Sequence, residues 1–427
     1  MIFNFKRLNK KEITIFLVLI LLFLIFYFIR IASGIYKLYD SEDYLYTANL
    51  IADGTYFQKI ISQDDAIPLT KRPFLYPLFL YLVSFFNLKT ILFIQTLFGI
   101  FNTYLMIQLL KKINASVSYL LVIFTVFTPS IFIYTQLIMA DWVVMTLIML
   151  LSFLLFDDWT KKRFFYIQII TTLLAFTKPI FYILIYFNFV YFAFVLIRKK
   201  TFSFSLFIPM ICLYLYLGFN NYRTGYTHFS SIENINLIEF NLYFYKSKTQ
   251  STEMADQWKD SVIVESNKFK DFKSKSVFFQ NIGKQEISKH FLSYSFYHFY
   301  TSIRGIFDPG RFDLMTFFKS EIGKEGFMRA LNSKQPLASI FQPKYILIYI
   351  FLVTIFIFQI VKLVGTTLYV FKERNKIDYL NTYLVLTVIL YILLNGPVNS
   401  ARYMMPFQGL FIVFAVKYLQ NRYKTKI

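Results

Sequence analysis

A cluster of charged residues follows the first long apolar segment of the chain. Asp40, Glu42 and Asp43 lie close together, and Lys71 and Arg72 precede a segment rich in aromatic residues and proline. A carboxylate in such a cluster can take up a proton, and a guanidinium group can bind an anion such as a phosphate. Charged groups beside lipid are energetically costly, so their presence favours a functional site over the alternative, an ordinary solvated loop.

The composition indicates a membrane protein. Hydrophobic residues make up 57% of the 427 residues and charged residues 16%, against about 45–50% and about 25% in soluble domains. The formal net charge is +21, and the basic residues stand in short blocks between apolar segments. This placement follows the positive-inside rule and argues against nucleic acid as the partner. The single cysteine, Cys212, excludes intrachain disulfides and metal sites built on cysteines.

Ten apolar segments of the sequence are predicted to cross a bilayer, which takes about 20 residues for a helix. The fourth and fifth are shorter than this length. The ten segments are residues 13–29, 90–110, 116–137, 142–156, 164–176, 180–197, 202–219, 345–364, 379–394 and 403–419. A further apolar segment, residues 74–87, is too short to span about 30 Å of hydrocarbon and is predicted to be an interfacial or re-entrant helix. The sequence therefore predicts an all-α polytopic membrane protein.

The basic residues predict the orientation of these spans. Several precede the first span, which places the N-terminus in the cytoplasm; a cleaved signal peptide, with small residues at positions 32–34, is the alternative. Counting alternate sides from there places the basic loops near positions 111–112, 161–163, 198–200, 372–376 and 422–426 on the cytoplasmic side. The first loop, residues 31–87, then lies outside, together with short turns near Asp141, Lys178 and Arg402.

A polar insert interrupts the apolar segments. Residues 220–343 are predicted to form an extracytoplasmic soluble domain, with helices over 252–272 and 283–302 and a turn at 308–310. The chain then consists of an N-terminal transmembrane module, residues 1–219, this inserted domain, and C-terminal transmembrane helices, residues 344–427.

Short motifs stand in a fixed order on the predicted external side. They are Asp40 to Tyr44, the segment Arg72-Pro73-Phe74-Leu75-Tyr76-Pro77, Ala140-Asp141, Thr177-Lys178-Pro179, Asn221 to Gly225 and Ser400 to Pro406. In this order they resemble motifs of GT-C glycosyltransferases, specifically the protein O-mannosyltransferase and lipid A aminoarabinose transferase group, which is glycosyltransferase family 39-like. The sequence departs from the family pattern at Phe74, where the family has a second proline, and at Lys178, where it often has arginine.

The resemblance implies a membrane glycosyltransferase with a GT-C-like fold. Such an enzyme transfers a sugar from a polyprenyl-phosphate donor to a glycan, lipid or protein acceptor at the outer face of the cytoplasmic membrane. Inverting displacement at the anomeric carbon needs a carboxylate that takes the acceptor proton. Asp40 is the first candidate for this base and Asp43 the second; the family's adjacent Asp-Glu pair is absent, which leaves the choice between them open. Asp141 would orient the acceptor or assist the base; the alternative is an acid that merely favours a helix N-terminus.

The resemblance also implies cations that hold the lipid phosphate. The candidates are Lys71, Arg72, Lys178 and Arg402. Arginine can grip a phosphate with two hydrogen bonds, whereas lysine acts as a point charge. Tyr403 is expected to lie beside the phosphate at headgroup level, and Tyr44 and Tyr76 are expected to shape a groove for the acceptor. For each cation, plain contact with membrane lipids is the alternative.

The sequence requires no cofactor, although Asp40, Asp43 and Asp141 have the oxygen ligands that Mg²⁺ or Mn²⁺ prefers. Two histidines eight residues apart, His290 and His298, are predicted to be packing or surface residues rather than ligands. The alternatives to a transferase are a transporter or flippase for lipid-linked saccharides and a saccharide polymerase. Ionisable groups near the middle of several spans would favour the transporter.

Overall fold

The computed structural model describes residues 5–60, 63–318, 346–373 and 378–424, and the regular structure in these ranges is entirely helical. We number the α-helices of the described residues in chain order. Those before the insert are α1 (Lys10–Ala32), α2 (Tyr39–Ala52), α3 (Gln63–Lys71), α4 (Leu75–Leu82), α5 (Leu88–Lys112), α6 (Tyr119–Val126), α7 (Ser130–Ile133), α8 (Asp141–Leu155), α9 (Lys161–Thr177), α10 (Tyr182–Arg198) and α11 (Ile208–Thr224).

The insert and the C-terminal part are helical as well. The insert contains α12 (Ile232–Ile235), a π-helical turn (Asn236–Leu242), α13 (Tyr243–Thr249), α14 (Thr252–Ser266), α15 (Phe272–Lys289), α16 (Phe291–Ile306) and α17 (Arg311–Phe317). The last helices are α18 (Ile346–Glu373), α19 (Tyr379–Asn395) and α20 (Ala401–Lys424). The predicted all-α architecture is therefore confirmed for the described part of the chain.

Local sequence explains where these helices begin and end. The side chain of Asn9 accepts a hydrogen bond from the backbone N–H of Glu12, and the Glu12 carboxylate accepts one from the backbone N–H of Asn9, which starts α1 as a capping box. The Asp271 carboxylate caps α15 in the same manner through Ser274 N–H. Gly225 ends α11 with a φ of +72°, a left-handed conformation that glycine adopts without strain.

Six helices of the described residues are long and apolar enough to cross a membrane. They are Lys10–Ala32, Leu88–Lys112, Pro179–Arg198, Phe204–Thr224, Tyr349–Glu373 and Tyr379–Val398, where three include adjoining 3₁₀ turns. Each coincides with one of the predicted spans, although Tyr345, the first residue of the predicted eighth span, lies outside the described residues. The protein is thus a multi-pass helical membrane protein.

The remaining four predicted spans are not confirmed. Residues 116–137 form two short pieces, Tyr119–Val126 and Ser130–Gln136, whose axes differ by 74°. Pro129 lies at this break, where a proline cannot continue the hydrogen-bond pattern of the preceding helix. Helix α8 has 15 residues and α9 has 17, and α20 is not among the six long apolar helices. Helix α4, inside the segment predicted to be interfacial, has 8 residues and is too short to cross.

The insert divides between two hydrophobic cores. A small core of its own contains Ile238, Leu242, Tyr245, Val262 and Tyr294. In contrast, Leu314 and Phe317 of α17 belong to the main core, together with side chains of the membrane helices. The end of the insert therefore packs against the membrane helices, whereas the sequence predicted one soluble domain over residues 220–343. Residues 319–343 of that prediction lie outside the described ranges.

Close packing joins α16 to the connection between α19 and α20. A Cβ atom added at Gly305 would lie 2.5 Å from Cβ and 2.7 Å from the carbonyl carbon of Asn399. Because the Asn399 backbone cannot move away easily, we expect Gly305→Ala to destabilise the fold by about 1–3 kcal/mol. This should lower the midpoint of thermal unfolding in detergent by several degrees. Gly218→Ala is the matched control, because no heavy atom lies within 4 Å of its added Cβ; an equal loss in both variants would contradict the packing explanation.

Candidate functional site

The first loop places acids and bases through three short helices. Helix α2 begins at Tyr39, so Asp40 and Asp43 lie three residues apart on one face. Glu42, between them, is exposed on another face of the same helix. Helix α3 ends at Lys71, and Arg72 follows before α4 begins at Leu75.

Arg72 and Lys71 bind both aspartates of α2. Arg72 Nη2 lies 2.5 Å from Asp40 Oδ1 and 2.9 Å from Asp43 Oδ2, and its Nε donates to Asp43 at 3.3 Å. Lys71 Nζ lies 2.9 Å from Asp43 Oδ2 and 3.1 Å from Oδ1. The end of α3 is therefore joined to the start of α2 by ion pairs that are largely shielded from water.

Residues from three distant parts of the chain complete the arrangement. Arg402, near the start of α20, places Nη2 at 2.5 Å from Asp40 Oδ2 and Nε at 3.6 Å from Asp141 Oδ2. Asp141, the first residue of α8, is 1% exposed and also pairs with Lys178 Nζ at 2.8 Å. Asp40 thus links both halves of one network. We call Asp40, Asp43, Lys71, Arg72, Asp141, Lys178 and Arg402 the charged cluster.

Tyrosine rings surround the charged cluster. The Tyr403 ring centroid lies 4.7 Å from Lys178 Nζ and 5.6 Å from the guanidinium carbon of Arg402. The Tyr44 ring lies 5.1 Å from the Arg72 guanidinium and packs edge to face against Tyr76. Both of the latter rings are at most 1% exposed. The Tyr44 ring therefore supports the Arg72 guanidinium, and Tyr76 supports Tyr44. Neither ring lines an open groove, in contrast to the prediction.

The electrostatic environment keeps Asp40 ionised. Burial by itself would raise the pKa of Asp40, but the positive charges of Arg402 and Arg72 outweigh burial and hold that pKa well below its ordinary value. The cluster contains four cations and three carboxylates, so its formal net charge is +1. A further anion that reaches these cations would be attracted, and it would compete with the carboxylates for them.

Sequence reasoning missed a second buried acid next to the charged cluster. Asp313 Oδ1 accepts a 2.6 Å hydrogen bond from the Tyr134 hydroxyl, while Oδ2 is buried without a partner among the described residues. Asp308 lies close by, and its Oδ2 accepts from the backbone N–H of Ala401, the neighbour of Arg402. These acids line one narrow cavity with Thr128 and Gln408. The predicted turn at 308–310 was the only indication of this region in the sequence, and it did not indicate that the two acids are buried.

The protonation of Asp313 gives a pH-dependent stability. Burial raises the pKa of Asp313 from an ordinary 3.8 to about 7. A carboxyl with a raised folded-state pKa contributes full stability below about pH 3.8, loses it progressively as the pH rises to about 7, and contributes least above that. We therefore expect Asp313→Asn to gain thermal stability relative to wild type between pH 5 and pH 8, by a few degrees. Asp260→Asn, at an exposed position of α14, is the control. An Asp313→Asn difference that does not change with pH would contradict this assignment.

The acids of the charged cluster do not fit a divalent-cation site. The described residues include no group of three or more His, Cys, Asp or Glu side chains that could hold a metal ion. Asp40, Asp43 and Asp141 each point to lysine or arginine nitrogens, and Arg402 separates Asp40 from Asp141. Such cations occupy the positions that a metal ion would need, so we derive no step through Mg²⁺ or Mn²⁺.

Other polar residues singled out in the sequence have structural contacts. Arg223, in the motif that ends α11, donates to the backbone carbonyl of Tyr56 at 2.9 Å and bonds to the Asn220 side chain. It therefore anchors the first loop to α11. His298 Nε2 lies 2.8 Å from the Leu393 carbonyl oxygen, which is a packing contact as predicted.

Comparisons with known proteins identify no relative. No family model matches the chain, and no curated protein or solved structure is similar to it. The resemblance to GT-C glycosyltransferases therefore rests on the sequence motifs alone.

Proposed function

We propose that the protein is an integral membrane glycosyltransferase that uses a polyprenyl-phosphate sugar as donor. One observation supports this proposal most directly: the acids and bases of the family-like motifs, which are separated by as many as 362 positions, meet in the charged cluster. Asp40, Asp141, Lys178 and Arg402 come from α2, α8, the end of α9 and α20. Removing seven charged side chains from water beside a membrane is energetically costly, which favours a functional role for the network.

The cations of the cluster would hold the phosphate of the donor. Arg402 is the best candidate, because its guanidinium group already bridges two carboxylates with separate nitrogens and can present the same fork to a phosphate. Lys178, whose Nζ lies 4.7 Å from the Tyr403 ring centroid, would add a point charge. As the bond between sugar and phosphate breaks, negative charge grows on the phosphate, so these cations stabilise the transition state more than the ground state.

Asp40 would serve as the base. In the reaction, the acceptor hydroxyl oxygen forms a bond to the anomeric carbon, its proton moves to Asp40, and the bond from that carbon to the phosphate oxygen breaks. The electron pair of the broken bond leaves with polyprenyl phosphate, and the anomeric configuration inverts. Asp43 is the second candidate. Cations contact both oxygens of each aspartate, but of the two only Asp40 pairs with Arg402, the cation proposed to hold the phosphate.

Donor binding would also activate the base. In the structure Arg72 and Arg402 hold Asp40 as a weakly basic carboxylate. A donor phosphate that shares these guanidinium groups reduces their pull on Asp40, and its own negative charge raises the pKa of Asp40. Asp40 would then be basic enough to take the acceptor proton only when the donor is bound.

The test is a transfer assay with purified protein in proteoliposomes. Polyprenyl-phosphate sugars extracted from source-cell membranes serve as donor, and cell-envelope material serves as acceptor. The proposal expects the release of polyprenyl phosphate together with a new acceptor-bound sugar, detected by mass spectrometry. Movement of intact lipid-linked sugar across the membrane without bond cleavage would overturn it. That result would instead support the transporter alternative, and chain extension of a glycan would identify a polymerase.

One buried lysine bears on the transporter alternative. Lys362 is 1% exposed inside α18, and its Nζ donates a 2.8 Å hydrogen bond to Thr128 Oγ1. The sequence placed it near the inner end of the span 345–364, but α18 continues to Glu373, so Lys362 lies well inside the helix. A path for a charged substrate needs ionisable groups in several spans, and Lys362 supplies one, which leaves the transferase as the better supported proposal.

A further inference from the structure

Helix α16 exposes a wide apolar face. Six large apolar side chains of this helix are 38–81% exposed: Phe291, Leu292, Phe296, Phe299, Tyr300 and Ile303. Between His290 and Ile303 the sequence contains no Asp, Glu, Lys or Arg. A helix that faces water normally presents charged side chains there, and a contiguous apolar surface of this kind indicates an interaction site.

The opposite face of α16 is fixed to the membrane helices. His298 Nε2 contacts the Leu393 carbonyl oxygen in the last turn of α19 at 2.8 Å. The side-chain amide of Asn399, just before α20, donates to the Ser302 carbonyl at 2.6 Å. Gly305 lies directly against Asn399. The apolar face is therefore held in a defined direction beside the ends of two membrane helices.

A contact with α18 gives the depth in the membrane of the C-terminal end of α16. The carbonyl oxygen of Ile306, the last residue of α16, accepts a 2.8 Å hydrogen bond from Gln359 Nε2. Gln359 lies 14 residues before Glu373, the charged end of α18, which corresponds to about 21 Å of helix. With that charged end at the far interface of a hydrocarbon core about 30 Å thick, the contact lies about 9 Å below the near surface. Val353, Phe356 and Ile357 of α18 lie within two turns of Gln359 and are 38–57% exposed, as expected for lipid contact at this level.

The chain then returns to the surface. The turn at Asp308 and Gly310 reverses its direction, and Gly310 adopts a φ of +76° there. Helix α17 follows, and the carbonyl of Phe317 at its end accepts a 2.8 Å hydrogen bond from Arg30 Nη1 in the last turn of α1. Residues 291–317 therefore enter and leave on one side of the membrane, the side that holds the charged cluster.

We propose that residues 291–317 form a re-entrant hairpin in which the apolar face of α16 lies against the acyl chains of the lipid leaflet on the side of the charged cluster. In this position the acyl chains cover the apolar face. The depth of about 9 Å at Ile306, the end of α16, is within the range of about 5–10 Å by which the apolar faces of interfacial helices enter the boundary of headgroups and acyl chains. The proposal is independent of the proposed transferase activity.

The hairpin gives the lipid surface a direct connection to the charged cluster. Asp308 in its turn accepts from the N–H of Ala401, and the next residue, Arg402, binds Asp40 and Asp141. A lipid-embedded α16 would thus fix the depth of Arg402 relative to the headgroups.

The test uses spin labels in full-length protein reconstituted into phosphatidylcholine vesicles. Cys212→Ser provides a cysteine-free chain, into which Phe296→Cys or Leu292→Cys is introduced. Val264→Cys on α14, an apolar residue that is 64% exposed in the same insert, is the matched control. Power-saturation measurements compare the accessibility of each label to oxygen, which concentrates in lipid, and to a water-soluble nickel complex. We expect the ratio of oxygen to nickel accessibility to be at least several-fold higher at positions 292 and 296 than at 264.

Two results would overturn the proposal. Nickel accessibility at both α16 positions equal to that at position 264 would show that this face is in water. Low accessibility to both reagents, with spin–spin broadening between labels or disulfide-linked dimers, would show that a second copy of the chain covers it. The use of two α16 positions keeps the test decisive if one variant does not fold.

Discussion

Asp40→Asn is expected to lower the rate of sugar transfer by about 10²- to 10⁴-fold, which is the usual contribution of a general base. Asparagine keeps the shape of the side chain but cannot accept the acceptor proton. The cations that hold the donor remain, and the formal charge of the cluster rises from +1 to +2 when this carboxylate is lost. We therefore expect kcat to fall while the KM for donor stays the same or decreases.

Glu42→Gln is the matched control for this prediction, because Glu42 lies on the same helix at an exposed position outside the charged cluster. It should retain wild-type transfer. Both variants should reach normal abundance in the membrane, measured by immunoblot and by size-exclusion chromatography of the extracted protein. Full transfer activity in Asp40→Asn would refute the role of Asp40. If Asp43→Asn alone abolished transfer, the base would be Asp43.

The sequence could indicate that the residues of the charged cluster share one side of the membrane, because successive apolar spans bring distant parts of the chain back to the same side. Asp141, Lys178 and Arg402 each stand at the end of an apolar segment, and such positions lie at the same level in a helical bundle. The distances between these residues could not be predicted. The sequence could not show that Arg402 would pair with Asp40 at 2.5 Å, because this depends on how α2 and α20 pack.

The number of spans was harder to predict, for a local reason. Hydropathy detects an apolar environment but not the direction of a helix, so residues 116–137 read as one span although the helix bends by 74°. Pro129 was the available sign of this bend. Helix α8 is apolar because it packs inside the bundle, where a helix of 15 residues needs no lipid contact to bury its side chains.

The buried acids Asp308 and Asp313 were missed because their burial comes from tertiary packing. In sequence, Asp313 stands in a polar insert that reads as soluble. In the structure, α17 reaches Tyr134 and the start of α20, and Asp313 is only 5% exposed. The apolar face of α16 could have indicated this packing, because aromatic residues recur there every three or four positions without a charge. For an amphipathic helix next to a membrane domain, a position at the membrane surface is therefore a better first prediction than a position in a soluble domain.

Arg402→Lys is expected to lower kcat/KM for the donor by about 10- to 100-fold, which corresponds to the loss of one charge-assisted hydrogen bond. Lysine keeps the positive charge, but a single ammonium group cannot contact Asp40 and Asp141 from two nitrogens as Arg402 does. Arg402→Gln removes the charge as well and should cost about 2–5 kcal/mol, a loss of roughly 30- to 5,000-fold. Arg163→Lys is the matched control, because Arg163 is also paired with an aspartate, Asp157, outside the charged cluster.

A pH profile distinguishes a role in catalysis from a role in folding. Arg402 holds the pKa of Asp40 below its ordinary value, so its removal raises that pKa. A base with a higher pKa loses activity at a higher pH, and the acid limb of kcat in Arg402→Gln should therefore move upward from its wild-type position. Loss of folding alone would lower the whole profile without moving this limb. In the double variant with Asp40→Asn the limb should disappear, and the two losses should combine to less than their product, because both act through one carboxylate. Independent, multiplicative losses would show that Arg402 does not act on Asp40.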